Sequence, residues 1–238
     1  MFDKRGTGPS DREVGAPTLE KRMDDLRSVM DAASIDAAHV YGYSEGGSMA
    51  MLFAASVPER VRSLLLFGTF ACRRPQHDYP WAPTSEQRRE FYEAIEHHWH
   101  QEMDIATIAP SLAFDPAARR RFATYFRMSA SPQGAMALAR LNTDIDVRHV
   151  LSTIRVPTLV MHREYDRDAS PEEARYIAAH IPGAMLAVYP GGDHVPFAGD
   201  TGPVLDEIRA FVTGSRGRVE DDRILATVLF TDVVYAVS

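Results

Sequence analysis

Residues 40–47 read Val40-Tyr41-Gly42-Tyr43-Ser44-Glu45-Gly46-Gly47. The pattern Gly42-x-Ser44-x-Gly46 is that of a nucleophile elbow, a sharp strand-to-helix turn that presents one serine hydroxyl. A hydroxyl is a weak nucleophile, so it must stand bare on the turn, within reach of a base from elsewhere in the chain. Such a turn crowds the backbone around the serine. Glycines two before and two after it remove the side-chain carbons that would collide. The backbone N–H of Glu45 would point at a developing oxyanion, and the N-terminus of the next helix adds positive potential. This reading requires a strand before Ser44, a helix after it, and an acid and a histidine later in the chain.

The flanking sequence supplies the first two. Residues 38–43 make a short strand, and Gly46 to Ser56 is an apolar helix, rich in Met and Ala, that stops before Pro58. Val61–Phe67 is a nearly unbroken apolar run, as expected of a buried parallel strand. Upstream, Leu19, Met23, Leu26 and Met30 recur at helical spacing and predict a helix over 18–33. Before that, residues 2–11 hold two glycines and a proline and predict a strand end followed by a tight turn. Lys4 and Arg5 are read as orienting this turn.

From Cys72 to Val147 strand-like runs vanish. Helices are expected near 84–101, 115–129 and 132–142, the second opened by Asp115 as N-cap and Pro116 at the first helical position. Strand patterning resumes at 156–162 and again at 185–189. Between them Ser170-Pro171-Glu172-Glu173 is a capping box that opens a helix to His180. A last helix over 202–213 carries Leu205, Ile208 and Val212 on one face. Strands alternating with helices predict an α/β fold with a mostly parallel sheet. The expected division is a core of residues 1–71 and 148–213, a helical cap at 72–147, a linker at 214–223 and a β-prone tail at 224–238.

At 238 residues the chain can bury a full core as one domain. A net charge of −7 argues against nucleic acid or an anionic membrane as the main partner. No apolar run is long enough for a transmembrane helix. The single cysteine, Cys72, excludes an internal disulfide framework; with no leader-like start, the expected location is the cytoplasm.

The acid and the histidine follow in order. Asp166 lies just past one expected strand and His194 just past the next. In an open parallel sheet the carboxyl ends of the strands share one edge, so the loops bearing Ser44, Asp166 and His194 converge. His194 would take the proton of Ser44, and Asp166 would hold the imidazole tautomer. Asp168 is the main rival for the acid, with Asp193 a more distant one because it adjoins the histidine. Tyr43, Trp81 and Trp99 are candidate substrate contacts, among a wider aromatic set with Phe91, Tyr92, Phe122 and Phe126. Glu93, His97 and His100 share a helix face at metal-ligand spacing, but a polar cap surface is the better reading, and no metal is expected. Arg119, Arg120, Arg121 and Arg127 read as a solvated helix face.

Taken together, residues 2–213 resemble the α/β-hydrolase fold, in particular its serine-esterase-like members with a helical cap. The resemblance rests on the Phe2-Asp3-x-Arg5-Gly6-x-Gly8-x-Ser10 turn, the elbow, the Val156-Pro157-Thr158 strand, the Asp166 loop and Gly192-Asp193-His194. Ser44 sets the chain apart from the family's aspartate-nucleophile branches, the haloalkane dehalogenases and epoxide hydrolases. The resemblance implies a carboxylic ester hydrolase that acts on small-molecule esters through an acyl-enzyme, without a cofactor. It also implies three strands ahead of the turn, and a loop after the third that gives a second oxyanion donor. On that reading the chain is N-terminally shortened, its sheet lacks the usual first three strands, and the bare edge favours a homodimer by strand pairing or exchange.

The tail is similar to something else. Ile224-Leu-Ala-Thr-Val-Leu-Phe-Thr-Asp232 resembles the opening strand of class III adenylate and guanylate cyclase catalytic domains, in which an aspartate at the position of Asp232 binds metal. The chain is therefore expected to correspond to the hydrolase part of such a fusion, with residues 224–234 free to complete the sheet in cis or in trans. This leaves open a ligand-sensing module of weak activity. A perhydrolase, lactonase or C–C hydrolase on the same three residues is open as well.

Overall fold

The structure, a computed structural model, describes residues 3–11, 18–99 and 104–214. Four parallel strands form one sheet in sequential order: β1 (Ala38–Tyr43), β2 (Val61–Phe67), β3 (Thr158–Arg163) and β4 (Met185–Tyr189). Helix α1 (Leu19–Ala32) precedes β1, and α2 (Glu45–Ser56) joins β1 to β2. Helix α6 (Pro171–His180) joins β3 to β4, and α7 (Gly202–Thr213) follows β4. Between β2 and β3 the chain runs through α3 (Ser85–His98), α4 (Pro116–Ser129) and α5 (Pro132–Thr143).

The local signals explain the boundaries. Thr84 caps α3 with a capping box closed by Gln87, Asp115 caps α4 ahead of Pro116, and Ser170 and Glu173 make the expected box at α6. β3 begins at Thr158 instead of the expected residue 156. Pro157 has no N–H to give to a ladder, although its carbonyl accepts the Leu64 N–H at 2.8 Å. Residues 3–11 form turns only, with Gly6 at φ 85° and Gly8 at φ 52°. Lys4 there pairs with Glu45, and Arg5 grips Asp25 with an Nε–Oδ2 distance of 2.6 Å, so both side chains tie the turn to the core.

Alternation along the strands builds two cores. Val40, Leu64, Leu66 and Val160 face α1, α2 and α6, where Leu26, Met30, Phe53 and Ile177 complete an apolar layer. Tyr41, Tyr43, Leu65, Phe67, Leu159 and Met161 face the opposite side, against Phe122 of α4 and Val204 of α7. A third cluster holds α3 to α5 through Ile95, Ala130, Ala135 and Ala139.

The register fixes where chemistry can assemble. Tyr43 pairs with Phe67, Phe67 with Met161, and Arg163 with Tyr189. The strands therefore end nearly level, and the residues after each end (Ser44, Gly68, Asp166 and His194) share one rim of the sheet. Pro58–Arg60, Pro110–Leu112 and Arg148–Thr153 are short 3-10 turns that periodicity did not show. The strand expected at 224–234 and its role in completing the sheet lie outside the described residues, as does the linker beyond Gly214.

Candidate active site

Ser44 sits at the tip of the β1–α2 turn with φ 50° and ψ −129°. A non-glycine residue in this sparsely populated region costs about 1–3 kcal/mol. Three hydrogen bonds hold it. The Ser44 N–H donates to the Phe67 carbonyl at 3.1 Å, and the Ser44 carbonyl accepts from Gly47 N–H at 3.0 Å and from Thr69 Oγ1 at 2.6 Å. At about 0.5–1.5 kcal/mol each, they outweigh the strain. A Cβ on Gly42 would lie 2.6 Å from the Gly47 Cα, and one on Gly47 only 2.2 Å from Thr69 Oγ1. The crowding expected at Gly42 is thus present, and Gly47 beyond the serine is crowded as well. Ser44 is the N-cap residue of α2, yet its side chain makes no capping bond.

The hydroxyl faces His194 instead: Ser44 Oγ lies 3.0 Å from Nε2, and Nδ1 of the same ring lies 2.7 Å from Asp166 Oδ2. A carboxylate only accepts, so Nδ1 carries the proton and Nε2 is left to accept from the serine. The other Asp166 oxygen accepts the N–H groups of Asp168 at 2.9 Å and Ala169 at 3.2 Å, which fixes the carboxylate plane. Burial disfavours a charged His194. The charges of Asp166 and Asp168 and the bond to Asp166 outweigh burial and hold its pKa above the ordinary value.

Asp168, the expected rival, is placed differently. Its Oδ2 lies 3.6 Å from His194 Nε2, on the serine side of the ring, and 3.0 Å from an Nη of Arg73. Burial works against its ionisation, but Arg73, His194 and Arg88 hold it below the usual carboxylate range. Asp193 points elsewhere and accepts the Ser111 N–H at 3.0 Å.

Several supports escaped the sequence reading because each acts across distant segments. Gly68, at φ 55°, leaves room for the imidazole: a Cβ there would lie 3.2 Å from His194 Cε1. Arg163 is 1% exposed, and its guanidinium donates to the carbonyls of Pro190 at 3.0 Å and Asp200 at 2.6 Å, pinning the loop that carries His194. His162 stands behind Asp166 with its Nε2 at 2.9 Å from the Ala169 carbonyl, and burial pushes its pKa down, so it is a neutral ring.

The sequence matches the family described as serine aminopeptidase, S33 (Hydrolase_4), over residues 1–201. The chain belongs to this family. Among curated relatives it is similar to a pimeloyl-(acyl-carrier protein) methyl ester esterase of Neisseria meningitidis, 28% identical over 199 residues, 81% of this chain and 77% of the relative. Among solved structures it superposes on an esterase from Thermogutta terrifontis with TM-score 0.70 and 27% identity, covering 88% of this chain and 77% of that one. It also superposes on a bromoperoxidase from Bacillus anthracis with TM-score 0.78, covering 88% and 79%; at 18% identity this shows the fold alone. The architecture is the α/β-hydrolase fold.

Glu45 opens α2, so its backbone N–H has no acceptor within the helix. Its carboxylate pairs with Lys4, and although burial opposes ionisation, Lys4 and Arg22 hold its pKa down. Tyr43 is buried with its ring centroid 5.1 Å from that of His194, which makes it a wall behind the imidazole. Trp81 edges onto Tyr79 at 5.4 Å and Tyr176 at 6.2 Å. Trp99 gives its indole N–H to the Ala130 carbonyl at 2.8 Å and leans on Phe126. Both tryptophans are thus engaged in packing. Phe122 stacks at 6.0 Å on Phe197, which belongs to the His194 loop. Cys72 is buried, its thiol pushed up by that burial. Among the described residues no cluster of His, Cys, Asp and Glu is placed to hold a metal, and His100 lies outside them. No described helix is long and apolar enough to cross a membrane.

Proposed function

We propose that the chain is a carboxylic ester hydrolase in which Ser44, His194 and Asp166 act as nucleophile, base and orienting acid. The observation that carries this reading is the bond chain Ser44 Oγ–His194 Nε2 at 3.0 Å and His194 Nδ1–Asp166 Oδ2 at 2.7 Å. Ser44 Oγ attacks the ester carbonyl carbon as its proton passes to His194 Nε2. The carbonyl oxygen becomes an oxyanion that the Glu45 N–H stabilises. The C–O bond to the alcohol breaks, and the alcohol leaves with the proton from Nε2. Water then attacks the acyl-Ser44 carbonyl, gives a proton to Nε2, and the acid is released with Ser44 restored. The steps need no cofactor.

The esterase names among the relatives support this substrate class. The packing of Phe122 into the cluster that holds Tyr43 supports reading α3–α5 as a cap over the site. Tyr43 is kept as part of the pocket wall, and Trp81 and Trp99 stay candidate substrate contacts, Trp81 with 38% of its surface exposed. The regulatory alternative rests on the cyclase-like tail at 224–232, which lies outside the described residues. A homodimer through β1 belongs to this proposal, supported by the position of β1 at the end of the sheet. Sedimentation velocity tests it: a monomer at all concentrations removes it.

A panel of p-nitrophenyl acyl esters tests the central reading. Wild type should turn over short to medium acyl chains, with Ser44→Ala lower by on the order of 10⁴-fold or more. Equal turnover by the two proteins rejects the mechanism.

A further inference from the structure

Helix α3 is polar along most of its length, but its inward face carries two buried side chains, Ile95 and Arg88. Arg88 is only 9% exposed, and its Nε is fully enclosed with no hydrogen-bond partner. Among the described residues no carboxylate closes an ion pair with it; its guanidinium lies 5.8 Å from the centroid of the Phe91 ring. A buried cation without an anion is costly, and proteins rarely leave one so unless something else supplies the anion.

The surroundings of Arg88 lead back to the reacting atoms. Ser44 faces His194, and His194 Nε2 lies 3.6 Å from Asp168 Oδ2. Asp168 is already taken by Arg73, whose fork donates to its carbonyl and its carboxylate, both at 3.0 Å. The charge of Arg88 is felt at Asp168, and that of Arg73 at Arg88. The remaining acid of the group, Glu173, accepts no hydrogen bond from Arg88: one of its oxygens accepts the Ser170 N–H at 2.9 Å, and Tyr79 is a further neighbour of its carboxyl. Burial lifts Glu173 to about 7, which weakens it as a counter-charge. Two arginines thus face one carboxylate that Arg73 already holds and one whose charge burial opposes. A planar carboxylate matches the guanidinium fork in shape and charge.

We propose that Arg88 binds a free carboxylate of the substrate, so that the preferred esters are half-esters of dicarboxylic acids. The proposal rests on the hydrolase reading above and names its substrate class. The guanidinium fork pairs with the far carboxylate in two parallel bonds and so sets the distance from that end of the molecule to the ester carbon at Ser44. The arginine arrives on a helix of the block between β2 and β3.

The test compares monomethyl adipate with dimethyl adipate on wild type, Arg88→Met and Arg88→Lys. Methionine fills the buried site without a charge, and the dimethyl ester reports whether each variant is folded and active. The wild type should favour the half-ester. Arg88→Met should lower kcat/KM for the half-ester by on the order of 10–100-fold through KM, with the dimethyl ester changed by no more than about 2-fold. Arg88→Lys should fall between. An unchanged preference in Arg88→Met, or a wild type that favours the dimethyl ester, overturns the proposal. Titration calorimetry with adipate itself reads the site without turnover. Binding by wild type and by Ser44→Ala, lost in Arg88→Met, supports the anion site even if no ester is hydrolysed; in that case the hydrolase reading fails alone. Equal binding by wild type and Arg88→Met removes the anion site.

Discussion

Asp168 Oδ2 lies 3.6 Å from Nε2 of His194, the same nitrogen that faces Ser44 Oγ at 3.0 Å. The imidazole therefore has a carboxylate at each nitrogen, Asp166 on Nδ1 and Asp168 near Nε2. Arg73 draws Asp168 back, with an Nη–Oδ2 distance of 3.0 Å, and keeps it from displacing the serine. Both carboxylates favour imidazolium over imidazole, which is why the His194 pKa stands above its ordinary value despite burial.

A pH profile follows. The base works only when neutral, so kcat/KM should fall as pH drops through the His194 pKa, at a pH above the ordinary imidazole value. Asp168→Asn removes one of the charges that raise this pKa. The acidic limb should then move to lower pH, by up to about one unit. A limb that stays in place or moves up would show that Asp168 does not act on His194.

Gly68→Ala should be costly twice. At φ 55° an alanine is strained by about 1–2 kcal/mol, and its Cβ would press on His194 Nδ1 and Cε1 at 3.2 Å. We expect a lower Tm and a lower kcat with KM nearly unchanged. Normal kcat in a folded Gly68→Ala protein would mean that the ring is not held at this contact.

Arg163→Met should loosen the loop that delivers His194. The carbonyls of Pro190 and Asp200 lose their donor, which should destabilise the fold by about 2–4 kcal/mol in urea unfolding. Activity should fall in the remaining folded protein, since His194 is the residue that the loop positions. Full stability and activity would remove Arg163 from this account.

What could be read in advance was local. The elbow at Ser44 shows in five consecutive residues, the Ser170–Glu173 box in four, and β2 in a single apolar run. The order of Ser44, Asp166 and His194 follows from the same punctuation, because parallel strands end on one edge. What could not be read acts between segments. Arg73 and Asp168 meet across 95 positions of sequence, Arg163 reaches from β3 to the loop after β4, and nothing local to Arg88 marks it as buried. The contacts of Trp81 and Trp99 with Tyr176 on α6 and the Ala130 carbonyl after α4 join separate segments and have no local signal. Between Asp166 and Asp168 no local rule decides; the difference is which ring nitrogen each carboxylate meets.

The most direct test of the account is covalent labelling with a fluorophosphonate, followed by peptide mass spectrometry. The account predicts one phosphonyl adduct, on Ser44, absent in Ser44→Ala and formed far more slowly in His194→Ala. No adduct in the folded protein, or an adduct on another residue that persists in Ser44→Ala, would contradict it.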